Sequence, residues 1–386
     1  MKELLENARW LDKADENVKE KLAWVSERSE NKIPYTTVNG IHDDKSDSTV
    51  RYGQDDGINW WCNGFWPGMM WLMYSETGEE RYAQIARRAE EKLDCCFEEY
   101  YGLHHDVGFM WLPSAVADYR LTGDRDARRR GLHAANLLAG RFNIAGNFLR
   151  AWNDAKTPAD TAGWVIIDSM LNIPLLYWAW EETNDPRFRH MAVAHANTVM
   201  KNFVRPDGSV RHIVEFDPET GIYRTDRGGQ GYGQGSSWSR GQAWGMYGFV
   251  ISYRHTGDTA YLDTAKRIAH YFIANIPEDG IIPVDFRQPE EPFWCDDTAA
   301  AIAACALIEI SRAVDAQEQR MYLAPALRLL RVLVEQHCDF TRKSDCILQK
   351  GTAAYHDANH EFPIIYGDYY LCEAIFKLKG KNTFLW

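Results

Sequence analysis

Two carboxylates stand out for the company they keep. Asp168 follows Val165, Ile166 and Ile167 and precedes Met170, Leu171 and Ile173, so its side chain is expected to lie buried among aliphatics. Burial disfavours the charged form and raises the pKa, as a general acid working near neutral pH requires. Asp106 comes directly after His104 and His105, a grouping of titratable side chains of the kind that marks functional sites. Other polar residues sit in aromatic surroundings. Asn63 lies within Trp60–Trp66, Arg240 between Trp238 and Trp244, Asp296 and Asp297 after Trp294, and Asp368 after Tyr366. Carboxylates can hold hydroxyls or move protons, a guanidinium pairs with a carboxylate, and flat rings stack on pyranose faces, so the set suits a sugar acid.

Each of these residues also has a plainer reading. An Asp at a helix start is most often an N-cap, worth about 1 kcal/mol, and a capping or supporting role is favoured for Asp296 and Asp368. Arg240 and Trp244 are four apart and share a helix face, where core packing competes for the indole. His212 alone reads as a satisfied loop histidine.

Other chemistries find little footing. The histidines form no metal set: His104 and His105 should point apart on any regular backbone, and no His-Glu-x-x-His occurs. The eight cysteines, Cys62, Cys95, Cys96, Cys295, Cys305, Cys338, Cys346 and Cys372, lack metal-ligand spacing. The run Gly228–Gly235 lacks the Gly-Lys-Ser/Thr ending of a phosphate loop. A formal net charge of -12 leaves no basic stripe for nucleic acid. No apolar run is long enough to span a bilayer, and Met1-Lys2-Glu3-Leu4-Leu5-Glu6 lacks the apolar core of a signal peptide. A cytoplasmic protein with reduced thiols is the expectation. Hydrophobic residues at 45% and charged residues at 25% allow a large core, and the 13% of aromatics fits either thick packing or a sugar platform.

The elements that must position these residues repeat along the chain. An aromatic-rich apolar segment, a short polar turn and an amphipathic charged segment recur. The copies run Phe65–Phe97, Phe109–Phe142, Ile166–Phe203, Ala243–Ile276 and Thr298–Gln336. A sixth apolar segment, Tyr369–Leu378, finds a partner in Ala8–Glu27. Thr-Gly-Asp turns end one helix with a residue tolerant of positive φ and offer a cap to the next. The first helix of each pair is apolar nearly all round and should be buried on both sides, whereas Tyr261-Leu262-Ala265-Ile268-Ala269-Phe272 shows the one-sided spacing of an outer helix. Six buried helices ringed by six amphipathic ones predict an all-α (α/α)6 barrel of helical hairpins, one catalytic domain over residues 1–386. Segments such as 207–237, rich in Gly with alternating β-formers, read as hairpins or long loops over one mouth, where binding usually lives.

Taken together, His105-Asp106-Val107-Gly108-Phe109, Ile166-Ile167-Asp168, Arg240-Gly241-Gln242-Ala243-Trp244 and the Thr-Gly-Asp turns resemble glycoside hydrolase family 88, the unsaturated glucuronyl hydrolases. The resemblance runs from about Trp60 to Tyr370. It implies a reaction without metal or cofactor on unsaturated oligosaccharides left by polysaccharide lyases. Asp168 would protonate C4 of the terminal C4=C5 bond and activate the water that attacks C5, and Asp106 would hold ring hydroxyls and help set the protonation of Asp168. Trp61, Trp152, Trp238 and Trp244 would lie on sugar rings, and His212, Gln230 and Arg240 would surround the uronate, with Arg240 near its carboxylate. Asn63 stands where related sequences can carry an acid and is read as supporting. The segment 344–360, with Ser344, Lys350 and His356, is the place for discrimination of the adjoining sugar.

Three rival readings remain at this level. One is an unsaturated galacturonyl hydrolase on the same barrel. Another is an inverting glycosidase with Asp106 and Asp168 about 6.5–9.5 Å apart around a water. The third is a non-catalytic glycan-binding protein.

Overall fold

The computed structural model describes residues 2–46, 57–98, 100–153, 161–380 and 385–386. Helix α1 (Lys2–Arg28) precedes the hairpins. The first is α2 (Phe65–Thr77) with α3 (Glu80–Leu93). The second inner segment is α4 (Val107–Trp111), a π-turn over Leu112–Val116 and α5 (Ala117–Thr122), with α6 (Arg125–Ala139) outside it. The third is a 3-10 turn (Ile167–Leu171) and α7 (Pro174–Thr183), with α8 (Pro186–Phe203) outside. Then come α9 (Ser239–Thr256) with α10 (Thr259–Ala274), α11 (Asp297–Ala313) with α12 (Gln319–Val332), and α13 (Ile365–Leu378). Helix α13 packs against α11 on one side and α2 on the other, and α1 lies outside it, so the ring closes as an (α/α)6 barrel.

The division into inner and outer helices follows the residue pattern. Every residue of α11 from Asp297 to Ser311 is buried, whereas α10 buries only Tyr261, Thr264, Ala265, Ile268, Ala269 and Phe272. The turns work as their chemistry demands. Gly78, Gly123 and Gly257 take φ of 73°, 77° and 72°, and Asn184 does the same job at 56°. Asp124, Asp185 and Asp258 then accept the amides of Ala127, Arg187 and Ala260 as N-caps.

Two inner segments are not the continuous helices that the apolar pattern suggests. Proline lacks an amide hydrogen and clashes with the preceding turn. Pro113 falls in the π-turn, and Pro174 starts α7, leaving Asp168 on the separate 3-10 turn before it. That turn leaves the strand Trp164–Ile166, which pairs antiparallel with Ile213–Phe216, itself paired with Tyr223–Arg227. The expected hairpin within 207–237 is therefore present, and its first strand is held directly against the segment that delivers Asp168. No helix among the described residues is long and apolar enough to cross a membrane.

Candidate active site

The inner segments all start at the same end of the barrel, and there a cavity of about 160 Å³ is lined by Trp60, Trp61, His104, His105, Asp106, Trp152, Ile166, Asp168 and Gln230. Asp106 occupies the N-cap position of α4, yet its side chain makes no capping bond. It faces two imidazoles instead, His105 Nε2 at 3.0 Å and His104 Nδ1 at 3.8 Å. His105 Nδ1 lies 2.8 Å from the Ala151 carbonyl oxygen, which can only accept, so this nitrogen carries a proton. Burial alone would raise the Asp106 pKa; the charge of His105 and hydrogen bonds from His104 and His105 outweigh it and hold the carboxyl well below the usual range. Burial pulls His105 down, and Asp106 more than restores it, leaving the imidazole above its ordinary value.

Asp168 has the opposite setting. Burial dominates and pushes its carboxyl up to about 7, with His105 and Arg240 opposing and the negative charge of Asp106 adding to the rise. His212 Nε2 is 3.8 Å from Asp168 Oδ1. The Gln230 amide donates to His212 Nδ1 at 3.0 Å, and an N–H can only donate. The Gly228 carbonyl, 3.2 Å from the same nitrogen, would need a proton there, so the shorter contact decides the tautomer. Nε2 then carries the proton and points toward Asp168. Burial drives His212 down to about 3, so the ring stays neutral.

The remaining candidates divide. Trp61 and Trp152 line the cavity, the latter edge-on to His105 at 5.7 Å. Gln230 lines it too and ties its side chain to the Ala353 carbonyl at 3.0 Å. Trp238 lies behind, its ring 4.1 Å from that of His212, with the Arg240 guanidinium over its face at 4.5 Å. Arg240 is buried and engaged by protein acceptors, with Nη1 on Asp296 and on the Thr352 carbonyl at 2.7 Å and Nη2 on the Ala353 carbonyl, so it braces the loop, and its charge also acts on Asp168. Trp244 is fully buried between Phe109, 5.0 Å away, and Tyr370, 5.5 Å away, which makes it core rather than a sugar platform.

The specificity segment splits as well. Ser344 is buried against α1, where its backbone carbonyl accepts from Lys21. Lys350 pairs with Glu361 at 3.5 Å. His356 is exposed and bonds the Tyr232 carbonyl at 2.8 Å, two residues from Gln230. Asn63 donates to the Gly57 and Ile58 carbonyls, as a supporting residue should. Asp296 caps α11 through the Thr298 amide, whereas Asp368 accepts the Ile347 and Leu348 amides at 2.7 Å each and so ties down a loop.

The reading that no metal-type set exists also needs correction. Ligand atoms of His104, His105 and Asp106 lie within 4.8 Å of one another, as do those of Cys295, Asp297 and His337. His104 and His105 do not diverge, because they sit in an irregular turn with their rings only 25° from parallel. In the second group His337 Nδ1 is 2.6 Å from Asp297 Oδ1, the spacing of a hydrogen bond rather than of two ligands around one ion. Sequence reasoning passed over Trp60, His104, His105 and Ile166 as lining residues. All four lie within one or two positions of Trp61, Asp106 or Asp168, so extending the selection to the immediate neighbours of those residues would have found them.

Known proteins resemble the chain along most of its length. A family model described as Glycosyl Hydrolase Family 88 matches residues 35–253, more than half of the chain. An unsaturated glucuronyl hydrolase of Bacillus sp. strain GL1 is 37% identical over 88% of this chain and 92% of its own length. An unsaturated chondroitin disaccharide hydrolase of Streptococcus pneumoniae is 34% identical over 84% of this chain and 83% of its own. The crystal structure of the unsaturated glucuronyl hydrolase of Bacillus sp. GL1, described as responsible for the degradation of glycosaminoglycan, superposes with a TM-score of 0.88 and 33% identity, covering 97% of this chain and 99% of that one. With its barrel, its paired acids and these likenesses, the chain belongs to glycoside hydrolase family 88.

Proposed function

We propose that this chain is an enzyme that releases unsaturated glucuronic acid from the non-reducing ends of lyase-generated oligosaccharides, glycosaminoglycan fragments above all, as the names of its relatives suggest. The observation that carries the reading is the contrast between two acids in one cavity, Asp106 held ionised and Asp168 held protonated up to about pH 7.

A lyase leaves a C4=C5 bond with the ring oxygen on C5, so the terminal ring is a vinyl ether. Asp168 gives its proton to C4. The carboxylate so formed takes a proton from water as the water oxygen bonds to C5. The resulting hemiketal opens to a ketone, which leaves a hemiacetal at C1, and that carbon expels the remaining glycan. The reaction consumes one water.

Asp106 accepts ring hydroxyls, and its charge helps Asp168 retain its proton. The protonated Nε2 of neutral His212 is a donor aimed at the same place. Trp61 and Trp152 present faces to the sugar, and Gln230 closes the side toward His356 and Lys350, where the adjoining sugar would be read. Trp238 and Arg240 act from behind by fixing His212 and the loop at 352–353. One catalytic domain spanning the chain and a bacterial cytoplasmic setting belong to the same reading. The eight thiols, each unpaired, suit a reducing compartment.

The test incubates wild type and Asp168→Asn with an unsaturated chondroitin disaccharide and follows the ultraviolet absorbance of the conjugated alkene. Loss of the band with wild type, slowed by about 10²–10⁴-fold in Asp168→Asn, supports the reading. Persistence of the band on glucuronyl substrates, with loss on an unsaturated galacturonyl substrate, would overturn it.

A further inference from the structure

We propose that Asn172, backed by Ser169 and His195, is a positioning residue that holds the two acids of the cavity in one frame. The proposal rests on the reading of Asp168 as the proton donor. All three side chains are fully buried and none lines the cavity.

Helix α4 lacks a side-chain cap from its own N-cap residue. A helix start leaves backbone amides without partners, and the side chain at the N-cap normally accepts one of the first. Asp106 holds that position in α4 and does not do so. The third helical amide, that of Phe109, instead donates to Asn172 Oδ1 at 2.8 Å. Asn172 therefore does the capping from another segment, which frees the Asp106 carboxylate to face the cavity. The same side-chain amide donates through Nδ2 to the Asp168 carbonyl at 3.1 Å. One planar group thus fixes the helix that follows Asp106 and the turn that carries Asp168.

The close approach has its own requirement. A Cβ at Gly108 would lie 2.4 Å from Asn172 Cα and 2.6 Å from its Oδ1, so only glycine lets the two backbones come this near.

The far side of the Asp168 turn is held by a directed chain. The Leu149 amide donates to His195 Nδ1 at 3.0 Å, which leaves the ring proton on Nε2. Nε2 donates to Ser169 Oγ at 2.7 Å, and the Ser169 hydroxyl donates to the Ile166 carbonyl at 2.6 Å. Burial drives His195 down to about 3, so this chain keeps one direction across the working pH range. Asn172 and His195 are both neutral. They act on the acids through placement, to which catalysis is steep: a shift of about 1 Å can cost on the order of 10²-fold in rate.

The experiment compares wild type, Asn172→Ala, His195→Ala and His195→Gln on the unsaturated chondroitin disaccharide across pH. In parallel, the Asp168 carboxyl is titrated by carbon NMR without substrate. Asn172→Ala should lower kcat by about 10²-fold with KM within a few-fold of wild type. The basic limb of its kcat/KM profile should move to lower pH as Asp168 gains water. His195→Ala should move both in the same sense by less, and His195→Gln, whose amide can still donate to Ser169, should recover most of the loss. Folded variants whose pH profiles and Asp168 titration superpose on wild type, with only Tm lowered, would overturn the proposal. If wild type leaves the disaccharide untouched but the titration still shifts in Asn172→Ala, the clamp stands and the assigned reaction falls.

Discussion

The two ends of the barrel treat buried charge in opposite ways. At the C-terminal ends of the inner helices, Lys377 lies 2.9 Å from Glu309 and 3.0 Å from Glu373, with all three side chains about 1% exposed. Arg254 and Arg312 also reach Glu309, Lys377 donates to the Tyr247 hydroxyl, and Tyr247 and the Trp386 indole donate to Glu373. Burial would raise Glu309, but Lys377 and Arg254 prevail and hold it at about 2. The carboxylates there are paired with cations, although Glu373 Oε2 has no hydrogen-bond partner among the described residues. At the N-terminal ends, Asp168 Oδ1 and His212 Nε2 are buried with no hydrogen-bond partner among the described residues. Groups left unmatched in a fold are costly, and sites that wait for a ligand are where natural proteins tolerate them. One end is built for stability and the other for chemistry.

That contrast can be broken from either side. The largest effect expected is from Lys377→Met, which strips Glu373 of its cation, leaves Glu309 to Arg254 and Arg312, and should cost about 3–5 kcal/mol in urea unfolding. The kcat/KM of the folded fraction should stay within about twofold of wild type; a larger fall in activity than in stability would erase the division of labour. Next comes Asp168→Asn, judged by stability rather than rate. Burial raises the folded pKa of Asp168 from 3.8 to about 7, so the fold favours its protonated form. Its contribution is full below about pH 4 and is lost as pH rises through 7. Removing the charge should make the variant more stable than wild type at pH 8, by on the order of 2 kcal/mol, and flatten the decline in between. The smallest effect belongs to the exposed turn just beyond the C-terminal end of α9, away from the cavity. Asp258→Ala removes the cap of α10 and should lower stability by about 1 kcal/mol with activity unchanged.

What the sequence shows and what it hides divide along a physical line. The hairpins are legible because Thr-Gly-Asp turns and apolar spacing are local signals, written within a few residues. Asp106 and Asp168 are legible for the same reason, since His105 and the flanking aliphatics are neighbours in the chain. The bracing role of Arg240 is hidden because its partners, Asp296 and the carbonyls of Thr352 and Ala353, are 56, 112 and 113 residues away. A guanidinium promised to its own fold looks the same in sequence as one offered to a ligand. Trp244 misleads because aromatic rings serve cores and sugars equally well. Asn172 hides for a subtler reason: it caps a helix that starts 65 residues earlier, and nothing near it says so.

The closed ring has a consequence for how the molecule comes together and apart. An open stack of helical hairpins has terminal repeats that fray and can form its interfaces one after another. Here α13 must find α2 across nearly the whole chain, and α1 must settle outside α13, as the contact of Lys19 with Glu76 at 3.2 Å ties α1 to the far end of α2. The last interface to form is therefore the one with the greatest loop-closure entropy against it. Once formed, it leaves no terminal hairpin unpaired among the described residues. Such a molecule should assemble slowly and then hold its shape as a hoop does, by having no end to pull.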